Sequence, residues 1–169
     1  IQAGERVPDA ILQYVHDGVQ KIDTHTLFEG NKLVLFAVPG AFTPTCSERH
    51  LPGFVEHYEA FQHKGIGVAC MAVNDPFVMG AWNKAAGSPD ITMLADGNGD
   101  FAEALGLTMD GSAFDLGKRG QRFSMVINDG VVEKLNVESG GEFKVSSAEY
   151  LLAGRVARRR IIDRDPHAV

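Results

Sequence analysis

Cysteine is scarce: Cys46 and Cys70 are the only two among 169 residues. Two cysteines make no disulfide framework, and a reducing compartment is the simpler inference. They do not form a Cys-X-X-Cys pair, and the six histidines (His16, His25, His50, His57, His63 and His167) are scattered without metal-ligand spacing. Neither a metal nor a cofactor is expected. No apolar run approaches the ~20 residues of a membrane span. Cations are the minority, 16 Lys and Arg against 22 Asp and Glu, and the net charge of −6 repels polyanions and argues against nucleic-acid binding. Internal repeats and low-complexity segments are also missing.

What remains is the composition of a globular domain, 44% apolar and 22% charged. A chain of 169 residues is long enough to bury roughly two thirds of its unfolded surface. We expect one domain over residues 1–169, of which about 153–169 is a basic C-terminal extension carrying Arg155, Arg158, Arg159, Arg160 and Arg164. A solvated helical extension is the plain reading of that tail, and contact with an acidic partner or nucleic acid the minority one. The chain starts at Ile1 rather than methionine, so a removed presequence stays open. The expected location is the cytoplasm, or an organelle if a presequence was removed.

Ile11 to Val15 and Val19 to Ile22 flank Asp17-Gly18 and predict a β-hairpin. Thr26 to Gly30 reads as a loop. Lys32 to Val38 is a continuous apolar run, as expected of a strand covered on both faces. Helical patterning follows from Pro44 to about Gln62, with a kink expected at Pro52-Gly53 and a stop at Gly65. Ile66 to Val73, holding Cys70, predicts a second central strand and hence a parallel βαβ unit. Asp75-Pro76 opens a helix to about Ala86; Ile91 to Leu94 predicts a strand and Gly99 to Leu105 a short helix. Met109 to Gly120 has no period and reads as a loop. Arg122 to Ile127 and Val131 to Val137 flank Asn128-Asp129-Gly130, the strongest hairpin signal in the chain. Ser146 and Glu149 have the spacing of a capping box before a last helix. The order predicts an α/β layer with a mixed sheet.

The central stretch is Val38 to Cys46, which takes an apolar strand through a turn into a helix. Thr43 suits the N-cap and Pro44 the first helical position. Cys46 then falls at the third, where unpaired N–H groups and the helix dipole favour a negative charge, and so a thiolate. An activated nucleophile or redox thiol is the functional reading; a small buried residue under a cap is the plain one.

Pro39-Gly40-Ala41-Phe42-Thr43-Pro44-Thr45-Cys46-Ser47 resembles the peroxidatic loop of the peroxiredoxins, whose shared core is Pro-X-X-X-Thr-X-X-Cys, in the wording of the five-type, or type II, subfamily. His50 to Phe54, Val73 to Met79, Leu94 to Gly97, Arg122 to Val126 and Gly140 to Glu149 are similar to the same subfamily, in its order. The likeness covers roughly residues 3–152. It implies a thioredoxin-like fold, a mixed central sheet flanked by helices with an N-terminal β-hairpin, and reduction of hydrogen peroxide and alkyl hydroperoxides through a sulfenic acid at Cys46.

Free cysteine titrates near 8.5, so about 3% is thiolate at pH 7. An arginine ~4 Å away adds roughly 4 kcal/mol of attraction at an effective dielectric of ~20, and the family motif supplies Arg122. Its fixed fork of donors also suits peroxide oxygens. Read without the resemblance, Arg122 is a surface ion-pair partner. Thr43 joins a cap role to a hydroxyl for sulfur and peroxide, Pro39 shields the sulfur, and the N–H groups of Thr45 and Cys46 face the departing oxygen. His50, four residues after Cys46, raises a Cys/His acyl-transfer dyad as the rival enzyme; we read it as structural. Cys70 reads as inert core.

Internally resolving relatives often carry a further cysteine where Lys144-Val145-Ser146-Ser147 stands here. Its absence points to glutathione, with or without glutaredoxin, as the reductant, with thioredoxin as runner-up. A peroxide sensor or redox-dependent binding protein is the rival outside enzymes. The resemblance also implies a homodimer built on the Phe42 turn and the Pro76 to Trp82 region.

Overall fold

The structure is a computed structural model that describes residues 1–87 and 90–154. The arginines of the basic tail lie outside the described residues.

The first hairpin forms as predicted, strand β1 (Ile11–Val15) against β2 (Val19–Asp23), with Asp17 and Gly18 both at positive φ. Thr26 to Gly30 is not simply a loop: helix α1 (Thr24–Phe28) occupies it, because the Asp23 carboxylate accepts the Thr26 N–H at 2.7 Å and Phe28 anchors the turn in the core. Strands β3 (Lys32–Ala37), β4 (Gly67–Ala72) and β5 (Thr92–Ala95) run parallel. The second hairpin, β8 (Phe123–Asn128) and β9 (Val131–Val137), turns on Asp129 and Gly130 at φ 50 and 81°. All seven form one mixed sheet in the order β2-β1-β5-β4-β3-β8-β9.

Both faces of the sheet are covered, which is why β3 is apolar from Leu33 to Ala37. Val34, Phe36 and Val38 enter one core with Phe54, Phe61 and Trp82 from the helices; Leu33, Leu35 and Ala37 enter the other with Phe101 and Leu105. The first face is covered by α2 (Leu51–Glu56), α3 (Tyr58–Gln62), α4 (Pro76–Ala86) and the helical residues 148–154, the second by α5 (Asp100–Leu105).

Three further expectations are corrected. Met109 to Gly120 holds strands β6 (Thr108–Asp110) and β7 (Lys118–Gly120), paired antiparallel around a turn at Ser112–Phe114; three-residue strands are too short to show a period. The run from Pro44 does not kink at Pro52-Gly53 but breaks at His57. A π-helical turn over Cys46–His50, in which the Leu51 N–H reaches back five residues to the Cys46 carbonyl, precedes Pro52 and takes up the residue that lacks an N–H. The last helix is capped one residue later than expected: Ser147 Oγ accepts the Tyr150 N–H at 3.1 Å, because Ser146 is turned toward Glu138 and Glu149 toward His57.

Candidate active site

Register places the site. Ala37 at the end of β3 lies opposite Phe123 at the start of β8. The loop leaving β3 therefore passes beside Arg122, the residue that precedes β8. Within that loop Phe42 is held at φ 66°, a strained conformation for an aromatic residue. Thr43 keeps the N-cap place through its carbonyl, which accepts the Ser47 N–H at 2.9 Å. Its hydroxyl is not a cap, however, since it donates to the Gly40 carbonyl at 2.7 Å. That commits its one proton and leaves the oxygen as an acceptor.

Cys46 is buried in the first turn behind Pro44. Arg122 reaches it from across 76 residues of sequence, with Nη2 donating to Sγ at 3.1 Å. The other arm of the same fork donates to His50 Nδ1 at 2.9 Å. His50 Nε2 stands 2.9 Å from the Ser146 carbonyl. A carbonyl only accepts and a guanidinium only donates, so both partners select one tautomer: hydrogen on Nε2, lone pair on Nδ1. Burial and then the Arg122 charge hold the imidazole pKa down to about 3. His50 is thus neutral, occupied on both nitrogens, and unavailable as a base for Cys46. The Cys/His dyad has no geometric basis here.

Above these groups a cavity of about 740 Å3 opens between Pro39, Thr43, Thr45 and Arg122 on one side and Met109, Phe114 and Leu116 on the other. The apolar side comes from the arm that reads as a loop in sequence. Arg119, on the same arm, escaped sequence reasoning; its Nη1 donates to the Pro39 carbonyl at 3.2 Å and its Nε to the Leu116 carbonyl at 2.8 Å, tying arm to loop. Gly40 permits this approach, since a Cβ there would stand 2.8 Å from Arg119 Nη1. Phe143 completes the surroundings, 5.0 Å from the His50 ring between centroids and 4.7 Å below the Arg49 guanidinium. Cys70 lies in β4, buried, and burial pushes its thiol pKa well above the ordinary value.

On this thioredoxin-like fold a buried thiol at a helix start, a guanidinium on its sulfur and an open cavity thus stand together. A family model described as Redoxin matches residues 2–152. Chloroplastic peroxiredoxin-2E-2 of Oryza sativa subsp. japonica is 47% identical over 160 residues, covering 90% of this chain and 71% of that protein. Peroxiredoxin-2B of Arabidopsis thaliana is 45% identical over 156 residues, covering 90% and 96%. Reduced Prx3 of Vibrio vulnificus in complex with hydrogen peroxide superposes with a TM-score of 0.88 at 47% identity, covering 91% of this chain and 98% of that one. The chain belongs to the peroxiredoxins, in their five-type, or type II, subfamily. Peroxide reduction by a thiol is accordingly its activity.

The neutral state of His50 has a consequence for stability. Below pH 6.5 the unfolded chain protonates at this residue, whereas the folded chain does so only near 3. The stabilisation is complete above pH 6.5 and lost as pH falls from there toward about 3. Replacing His50→Gln should therefore flatten the stability profile between pH 7 and 5 by up to roughly 1.4 kcal/mol per pH unit, measured by urea unfolding. An unchanged slope would show that His50 is not held neutral.

Proposed function

We propose that Cys46 is the peroxidatic residue, acting on hydrogen peroxide and alkyl hydroperoxides, and that glutathione, with or without glutaredoxin, recycles it. The observation that carries this reading is the 3.1 Å contact between Arg122 Nη2 and Cys46 Sγ. That contact sets a fixed positive charge directly against the attacking sulfur, at the start of a helix. The thiolate attacks the distal peroxide oxygen along the O–O axis; the S–O bond forms as the O–O bond breaks. The electron pair leaves on the proximal oxygen, which takes a proton and departs as water or an alcohol. Sulfur is thereby oxidised to the sulfenic acid.

Each neighbour has a part in this step. The Thr43 oxygen, its own proton given to Gly40, accepts the peroxide O–H and sets the attacking angle. Arg122 and the N–H groups of Thr45 and Cys46 stabilise the developing negative charge, as an oxyanion hole does. Pro39 screens the sulfur from water. Met109, Phe114 and Leu116 give the cavity an apolar wall suited to an alkyl group.

Glutathione condenses with the sulfenic acid to a mixed disulfide, releasing water; a second thiol then frees Cys46 and leaves as the disulfide product. Cys70 supports this route by its place in the packed centre of the sheet. A Cys46–Cys70 bridge would require local opening of both the helix start and the core strand. Phe42 and Phe77, 53% and 71% exposed, favour a homodimer in which these residues face their mates. The cytoplasm is the proposed location, with an organelle open, since two relatives are described as chloroplastic.

Peroxide consumption followed with glutathione plus glutaredoxin, and separately with thioredoxin plus its reductase, should proceed faster with the former. Cys46→Ser should lose all but a tenth of the turnover or less, while Cys70→Ser keeps it; mass spectrometry after one equivalent of peroxide should find sulfenic acid or a glutathione adduct at Cys46. A Cys46–Cys70 disulfide forming as fast as turnover would make thioredoxin the reductant instead. Light scattering should give twice the chain mass at micromolar concentration, and a monomer at high micromolar concentration refutes the dimer.

A further inference from the structure

Glu138 follows directly after β9 and is 7% exposed, a burial that an acidic side chain tolerates only when its oxygens are satisfied. A single oxygen, Oε2, accepts the N–H groups of Lys144 at 2.8 Å, Val145 at 2.9 Å and Ser146 at 2.8 Å, and the Ser146 hydroxyl at 2.6 Å. Three successive amides are thus curled round one carboxylate oxygen. The segment they belong to follows Gly140 and Gly141 and is outside every strand, so its position depends on this anchor. Fixing Ser146 at both its amide and its side chain fixes its carbonyl, which receives His50 Nε2–H at 2.9 Å. His50 in turn receives Arg122 on Nδ1.

The chain of contacts closes on itself. The Glu138 backbone N–H donates to the Arg122 carbonyl at 3.0 Å. Arg122 main chain, Glu138, Ser146, His50 and the Arg122 guanidinium therefore form one hydrogen-bonded ring, with Cys46 Sγ on the remaining arm of the guanidinium. Removing the Glu138 side chain opens that ring while leaving its backbone link to Arg122 in place.

We infer that Glu138 is a positioning residue for the peroxide reaction, setting the place of the Arg122 guanidinium through Ser146 and the His50 tautomer. Its carboxylate bonds to the 144–146 segment and not to the sulfur, although it also borders the cavity; its effect is to keep an acceptor in front of His50 Nε2–H, so that the lone pair on Nδ1 faces Arg122. Without the anchor, His50, still packed among Phe36, Phe54 and Phe143, loses the acceptor that selects its Nε2–H tautomer, and Arg122 loses the lone pair that aims its fork. The inference rests on the peroxidase reading for its kinetic consequence but not for its structural one.

Three proteins decide it: wild type, Glu138→Ala and Glu138→Gln, the last keeping one oxygen as acceptor. Stopped-flow measurement of the second-order rate of reduced Cys46 with hydrogen peroxide should show Glu138→Ala at least about tenfold slower and Glu138→Gln within about threefold of wild type. Nitrogen-15 NMR of the histidine ring should show the Nε2–H tautomer of His50 in wild type and Glu138→Gln, and its loss in Glu138→Ala. A lowered thermal midpoint in Glu138→Ala with rate and His50 signals unchanged overturns the inference, because that is all a purely structural anchor would do. If Glu138→Ala does not fold, Ser146→Ala removes the hydroxyl bond alone and should slow the reaction about threefold; a rate equal to wild type overturns the inference. If wild type itself does not react with peroxide, the peroxidase reading fails, and the His50 signals by themselves decide the positioning claim.

Discussion

The guanidinium of Arg122 holds two groups that would otherwise be independent, the sulfur of Cys46 at 3.1 Å and the imidazole of His50 at 2.9 Å. A charged side chain brought against a buried thiol must be desolvated, and it stays there only if its other donors are met. His50 meets one of them because it is neutral, and it is neutral because it is buried beside that same charge. The two residues thus support each other: burial first and the arginine second depress the imidazole pKa, and the uncharged imidazole accepts from the arginine. Lysine could supply the charge but not the second arm.

The sheet makes this arrangement inevitable once its register is set. The pairing of Ala37 with Phe123 brings the end of β3 and the start of β8 side by side. Everything chemical then sits on the short connections leaving those two strands. The β6–β7 arm adds a second tie through Arg119 to the Pro39 carbonyl, so the cavity wall and the cysteine loop are coupled by one side chain. Phe42, at positive φ and half exposed in the same loop, marks where the backbone is bent to present the helix start to the cavity.

Local signals in the sequence were sufficient for the parts of the molecule decided locally. The apolar run of β3, the Asp129-Gly130 turn and the Pro44 helix start each follow from residues within a few positions of one another, and each appears in place. The departures fall where a distant partner decides, or where an element is too short or too irregular to carry a period. Ser146 looks like a cap from its neighbours, yet Glu138 takes its hydroxyl and moves the cap to Ser147. Pro52-Gly53 looks like the kink, yet the π turn before it takes up the irregularity. His50 reads as a buried structural residue, which it is, but its two partners lie 72 and 96 residues away and no local spacing points to them. Arg122 itself was legible only through the family motif, since an arginine before a strand has no local mark of function.

The central claim is that the forked geometry of Arg122, and not its charge alone, makes Cys46 reactive toward peroxide. The most direct measurement is the second-order rate of reduced Arg122→Lys protein with hydrogen peroxide, with circular dichroism confirming the fold. Loss of a donor aimed at developing charge costs about two to three orders of magnitude, and a decrease of that size is predicted. A folded Arg122→Lys protein reacting within about threefold of wild type, a difference worth less than 1 kcal/mol, would contradict it.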